Sequence, residues 1–175
     1  TPLHHLLLDE LEQPIVLTSG NRSDEPQVID NDVARARLAE IADVFLMHDR
    51  DIVNRLDDSV LAVVDGETMV LRRARGYAPE PIALPDGFET APNVLAMGGE
   101  LKNTFCLFGD GRAIVSQHMG DMEDATALLD AEQNLALYQR LYEFEPTIVA
   151  VDRHPEYLPT KTARRLLAAL AKDKG

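Results

Sequence analysis

The sequence predicts an α/β protein made of two blocks and a connector, on three observations. Short β-branched runs alternate with stretches in which apolar residues recur at helical spacing. Pro79, Pro81, Pro85 and Pro92 crowd residues 77–93 without hydrophobic periodicity, which predicts an extended connector rather than a packed element. Beyond it the order of runs is βββαβα, a meander followed by βα alternation, and so a mixed sheet whose ligands gather at the carboxyl ends of strands. The expected domains are residues 1–84 and 93–175, with 85–92 as linker.

In the first block, Leu3, Leu7 and Leu11, joined by Leu6 and Leu8, follow Pro2, whose fixed φ suits a first helical turn. The spacing predicts a helix with a buried face. Residues 15–18 read as a short core strand, 32–42 as an amphipathic helix carrying Val33, Leu38 and Ile41, and 44–47 as another strand. Residues 59–64 and 68–71 flank Asp65-Gly66, a pair suited to the positive backbone angles of a tight hairpin turn.

In the second block, residues 94–97, 104–108 and 113–116 are the meander strands, the last two joined across Gly109-Asp110-Gly111. A long helix is expected over about 123–143, its inner face formed by Leu128, Ala131, Leu135, Tyr138 and Tyr142. Residues 147–151 predict a buried strand. Thr160 is then placed to cap a last helix with Ala163, Leu166, Leu167 and Leu170 inward.

Composition narrows the function. With 45% apolar residues the chain can bury a core, and 17 Lys+Arg against 30 Asp+Glu give a charge of −13 that disfavours nucleic acid as a partner. No apolar run approaches a membrane span, and no membrane partner is expected. Cys106, the single cysteine, cannot form an intrachain disulfide, which suits a reducing cytoplasm. Thr1-Pro2-Leu3 lacks an initiator Met and a signal-peptide start, as expected of a piece of something longer.

Several residues suit anion chemistry. Thr18-Ser19-Gly20-Asn21-Arg22-Ser23 follows a strand, so Ser19 and Asn21 suit phosphate or nucleotide contact; the same composition also serves a plain turn. All eight cations of residues 1–84 are arginines, among them Arg50, Arg55, Arg72, Arg73 and Arg75. Guanidinium forks match phosphate at two points, the alternative being solvated pairs with Asp49, Asp51, Asp57 and Asp58. Arg72 and Arg73 are strand neighbours, so only one can line a given pocket. Asp57 and Asp58 suit magnesium, or equally a turn and strand start.

Gly98-Gly99-Glu100-Leu101-Lys102-Asn103-Thr104 separates two strands, with Lys102 and Thr104 able to reach a phosphate. It lacks the spacing and following helix of a Walker loop, and a plain hairpin stays open. His118 and His154 end strands without a helical HxxxH partner and read as polar structural residues rather than ligands. Cys106, inside an apolar strand, reads as inert core.

Taken in order and spacing, TPLHHLLL, TSGNRSDEP, HDRDIVNRLDDSV, LRRARGYAPEP, GGELKNTFCL, SQHMGD and DRHPEY resemble the HypF carbamoyltransferase family over essentially the whole chain. The resemblance implies the later part of a YrdC-like adenylate-forming domain, then the first part of an actin-like (ribonuclease H-like) ATPase domain. It implies that carbamoyl phosphate and ATP give a carbamoyl-adenylate, whose carbamoyl group passes to the C-terminal cysteine of HypE. That product leads to the cyanide ligand of nickel-iron hydrogenase.

By the same resemblance, Ser19 and Asn21 match a Ser-x-Asn nucleotide motif, and Ser59 with Arg72 or Arg73 its later phosphate contacts. Lys102, Asn103 and Thr104 are similar to a phosphate-binding hairpin. ATP with Mg2+ is implied, whereas the family's zinc and histidine metal motifs match nothing in this chain. Neither a metal ligand nor a catalytic residue is therefore assigned. Two other readings stand beside this one, an antibiotic O-carbamoyltransferase and a non-catalytic interdomain or docking segment.

Overall fold

The computed structural model describes residues 2–23 and 25–173, the side chains of 169–173 excepted. The expected inward side chain of Leu170 lies outside them. Two compact units form the chain, Thr1–Val53 and Asn54–Gly175.

The first unit holds two short helices, α1 (Pro2–Asp9) and α2 (Asn31–Leu38). Asp30 starts α2, its carboxylate accepting from the amides of Asp32 and Val33 at 2.9 and 2.8 Å, where the helix dipole also favours a negative charge. The helix ends before the expected residue 42 because the Leu38 carbonyl accepts from both Ile41 and Ala42 in a tightened turn.

Three expectations fail in this unit. Residues 15–18 and 44–47 form no strand, and Val16 and Val44 are 91% and 84% exposed. β-Branched composition supplies only a preference; a strand also requires a hydrogen-bonded neighbour. The leucines of α1 do share a face, but Leu3, Leu6, Leu7 and Leu8 are all exposed. Among the described residues of this unit, none is buried.

The second unit opens with a hairpin, β1 (Val60–Val64) and β2 (Glu67–Arg72), paired antiparallel. Its turn is the expected one, with φ of 52° at Asp65 and 84° at Gly66, both in the left-handed region that a two-residue turn demands. A five-stranded sheet follows in the order β3-β6-β5-β4-β7. Its strands are β3 (Ile82–Ala83), β4 (Val94–Ala96), β5 (Cys106–Gly109), β6 (Arg112–Val115) and β7 (Ile148–Ala150). All pairs are antiparallel except β4 with β7, which is parallel across the crossover helix α3 (Ala125–Leu141).

The βββαβα order is present, with one addition. Within the proline-rich stretch, β3 pairs with β6 at the sheet edge, where neighbouring prolines remove no central ladder bond. The connector is thus partly a structural element.

Leu95 and Leu107 are register partners and join Met97, Phe105, Leu135, Tyr138 and Ala163 in one core cluster. Phe105 meets Tyr138 edge to face at 5.1 Å. The expected inner face of α3 is correct, with Ala131, Leu135 and Tyr138 buried and Leu128 and Tyr142 partly so. Asp124 caps it, accepting from the Ala127 amide at 2.8 Å.

The last helix, α4 (Leu158–Asp173), begins ahead of Thr160, so Thr160 is not its cap. The buried Glu100 carboxylate accepts from the Leu158 amide at 2.7 Å and does that work from a distant loop. Cys106 also departs from expectation. Its register places it on the sheet face opposite Leu107, where it is half-buried rather than in the core cluster.

Candidate functional site

In the first unit, the Ser19–Ser23 loop is fastened to α2. Arg22 donates to the Arg37 carbonyl at 2.9 Å and pairs with Glu40 at 2.6 Å, while the Val28 amide donates to the Gly20 carbonyl at 2.9 Å. Ser19 is exposed, and Asn21 donates to the Arg22 carbonyl at 2.8 Å. The Asn21 Oδ1 is buried with no hydrogen-bond partner, so the loop presents an unsatisfied acceptor.

In the second unit, the candidate residues form two clusters. Ser59 ties the first together, accepting from the Ala74 amide and donating to the Arg75 carbonyl, each at 2.9 Å. Arg72, the last residue of β2, is exposed, and Arg73, just beyond the strand, is half-buried. Arg73 Nη2 donates to the carbonyls of Tyr77 and Glu80 at 2.6 Å each, and its buried Nε has no partner. Arg75 pairs with Asp58 at 3.1 Å across an exposed surface. Arg55 pairs with Asp130, and Asp57 lies 3.0 Å from His118 Nδ1.

The second cluster is the 98–104 loop. Gly98 has φ of 68°, and a Cβ there would lie 2.1 Å from the Thr104 carbonyl oxygen, so only glycine lets the loop fold back on itself. Asn103, 3% exposed, donates through Nδ2 to the carbonyls of Met97 and Gly99 at 2.9 and 2.6 Å. Its side chain therefore shapes the loop. Lys102 is exposed with φ of 49°, its amide held by Asp121 Oδ1 at 2.7 Å, and Thr104 is half-buried.

Residues 118–120 run between the two clusters. The His118 amide donates to the Arg73 carbonyl at 2.9 Å, and Met119 donates to Asn103, which donates in turn to Gly120, both at 2.8 Å. Sequence reasoning missed what anchors this segment: Gln117, 2% exposed, donates to Asn134 Oδ1 at 2.8 Å and accepts from the Tyr138 hydroxyl at 2.7 Å. Burial pushes the Tyr138 hydroxyl up to about 12, only partly offset by a hydrogen bond at the Gln117 backbone. The available signal was the SQHMGD string itself, a run of polar residues directly after an apolar strand.

Other candidates are structural in their contacts. His154 stacks on Tyr157 with ring centroids 4.4 Å apart, and its amide donates to Asp152 at 2.8 Å. Desolvation raises the Cys106 thiol, only partly offset by a backbone hydrogen bond at Ile114, which suits a quiet thiol. A cavity of about 20 Å³ bordered by Met97, Asn103, Phe105 and Leu135 has room for about one water, not a nucleotide. Among the described residues no helix is long and apolar enough to cross a membrane.

Two family models match the chain. Residues 1–74 match the Sua5/YciO/YrdC family described as telomere recombination, and residues 89–173 match the HypF Kae1-like domain. A Rhodobacter capsulatus protein named carbamoyltransferase HypF is 50% identical over 157 residues, covering 90% of this chain and 21% of its own length. A Synechocystis protein of the same name is also 50% identical over 157 residues, covering 90% and 20%. A crystal structure titled full-length HypF in the phosphate- and nucleotide-bound form superposes with a TM-score of 0.85 at 45% identity, covering 93% of this chain and 26% of that one.

Proposed function

The chain belongs to the HypF family, spanning 21% of the length of the Rhodobacter relative, and on that premise we propose that it forms part of a carbamoyltransferase. The protein hydrolyses carbamoyl phosphate with water to carbamate and inorganic phosphate, and the carbamate oxygen attacks the α-phosphorus of ATP; the α–β anhydride breaks, releasing pyrophosphate and leaving carbamoyl-adenylate. The C-terminal cysteine thiol of HypE then takes the carbamoyl group and AMP leaves. The carrying observation is likeness over 93% of the chain to a HypF structure described as phosphate- and nucleotide-bound. A reducing cytoplasm suits the lone Cys106.

Residues 1–84 are assigned to the adenylate-forming domain, 85–92 to the linker and 93–175 to the Kae1-like domain, an assignment supported by matches ending at 74 and beginning at 89. Ser19, Asn21, Ser59, Arg72 and Arg73 serve the nucleotide of the first domain, Asn21 through its unsatisfied Oδ1 and Ser59 by shaping the arginine strand end. In the second domain Lys102 and Thr104 face phosphate, and Asn103 sets the loop that carries them.

Mg2+ would arrive with ATP. Asp57 and Asp58 already face His118 and Arg75, and among the described residues no three His, Cys, Asp or Glu side chains gather as a ligand set. Both carboxylates are thus already engaged by protein partners.

The test mixes the intact protein with ATP, Mg2+, carbamoyl phosphate and HypE, and follows the HypE C-terminal cysteine by mass spectrometry. A carbamoylated cysteine is expected, and its absence with active substrates overturns the assignment. The 175-residue chain alone should bind ATP in calorimetry without completing transfer, because positioning of all three reactants supplies much of the rate.

A further inference from the structure

The matched families and the compact units divide the chain at different places, and the difference locates a latch. Residues 54–74 belong to the Sua5/YciO/YrdC match, yet they fold within the same compact unit as the whole Kae1-like match. Contacts among the described residues join the two matches, including Arg55 with Asp130, Asp57 with His118 Nδ1 at 3.0 Å, and the His118 amide with the Arg73 carbonyl at 2.9 Å. The side chains of both pairs are largely shielded, with exposures of 23% and 20% for Arg55 and Asp130 and of 17% and 31% for His118 and Asp57. Partly buried pairs of this kind cost more to break than solvated ones.

Each side of the latch is stiff. On the Kae1-like side, His118 follows Gln117 of the buried Gln117–Asn134–Tyr138 network, and Asp130 lies on α3 one turn before Asn134, which donates to its carbonyl at 2.8 Å. On the other side, Ser59 and Arg75 tie residues 56–59 to residues 74–75 through five hydrogen bonds of 2.9–3.3 Å, two through the Ser59 hydroxyl and three donated by Arg75. A displacement at Arg55 or Asp57 is therefore passed to the strand end carrying Arg72 and Arg73.

We infer that Asp130 and His118 of the Kae1-like domain, through Arg55 and Asp57, position the Ser59/Arg72–Arg73 strand end used in adenylate formation. They are positioning residues, and the inference rests on the nucleotide role given to that strand end above. It predicts that a substitution on α3, in the other domain, weakens ATP use in the first half-reaction.

The experiment uses the intact protein with Arg55→Asp, Asp130→Arg and the two combined, followed by hydrogen exchange and by ATP–pyrophosphate exchange with carbamoyl phosphate present. Each single reversal should speed exchange of the His118 amide and of residues 54–75 by about tenfold and raise the ATP KM similarly, with kcat changed less; the combined swap should recover most of both. Reversals that leave His118 protection unchanged, or a folded double swap that recovers neither quantity, would overturn the latch. Should a reversal prevent folding, Asp130→Asn and His118→Gln carry the same readouts, with the same decisive outcomes. If the unsubstituted protein shows no pyrophosphate exchange, the nucleotide assignment fails, while the His118 amide still decides the latch; altered protection with an unaltered ATP KM in an active enzyme overturns the positioning role.

Discussion

The two units contain similar apolar patterns with opposite fates. In Thr1–Val53 the leucines of α1 and the β-branched runs at 15–18 and 44–47 are exposed, whereas in Asn54–Gly175 the patterned positions of β4, β5 and α3 are buried. Periodicity marks a surface that can be covered; burial also requires the covering element. In the second unit that element is nearby in sequence, because β4 and β5 pair directly and α3 returns the chain to β7. The β1–β2 hairpin is an instructive intermediate, since its turn chemistry fixes its register while its strands stay exposed almost throughout. The chain spans about a fifth of the relatives it matches, with 21% of the Rhodobacter protein covered.

The strongest way to break this contrast is truncation in both units. Leu107→Ala, at a side chain 1% exposed, should cost about 3 kcal/mol in chemical denaturation, whereas Leu6→Ala, at 74% exposure, should stay within about 0.5 kcal/mol. Equal losses would mean that α1 is packed as tightly as the sheet. Gly98→Ala should follow closely, costing about 2–3 kcal/mol, because the new methyl meets the Thr104 carbonyl oxygen and the backbone angle is unfavourable. A Gly98→Ala protein with an unchanged melting temperature would show that the loop can open without loss.

Tyr138→Phe sharpens the account of the buried network. It leaves the Gln117 Oε1 without its hydroxyl donor and should cost about 1–2 kcal/mol near neutral pH. Because the folded hydroxyl is raised from 10.0 to about 12, its contribution to pH-dependent stability is fully present below pH 10 and is lost as pH climbs toward 12. The stability difference between the native protein and Tyr138→Phe should thus shrink across that window in alkaline denaturation. A constant difference would show that Tyr138 titrates normally. The smallest effect belongs to Asp58→Asn, whose partner Arg75 is solvated; a change in unfolding free energy above about 0.5 kcal/mol would contradict the surface character of that pair.

Local signals were legible where short-range geometry decides the outcome. Asp65-Gly66 and Asp110-Gly111 announced their turns, and Ala131, Leu135 and Tyr138 announced the inner face of α3. Long-range partners left no local mark. Nothing around Glu100 shows that it caps a helix beginning 58 residues later, so Thr160 was the natural but incorrect choice. Asn103 similarly reads as a ligand in sequence, although both of its amide contacts are to the loop backbone. Of the candidate arginines, Arg72 ends β2 and is exposed while Arg73 lies just beyond it and is half-buried, and the Arg73 neighbours at 77 and 80 depended on the path of the connector.

Glu100 also limits how this protein can be redesigned. Its carboxylate receives the Leu158 amide and its carbonyl receives the Met122 amide at 2.8 Å, so one residue secures the entrance of α4 and the approach to α3. The 98–104 loop is consequently not an interchangeable cassette. A transplanted loop of equal length would need an acidic side chain and the same backbone path at that one position, or both joints would come undone together. Substituting the flanking Leu101, which is exposed, should be tolerated by comparison, and helix content in circular dichroism would distinguish the two grafts.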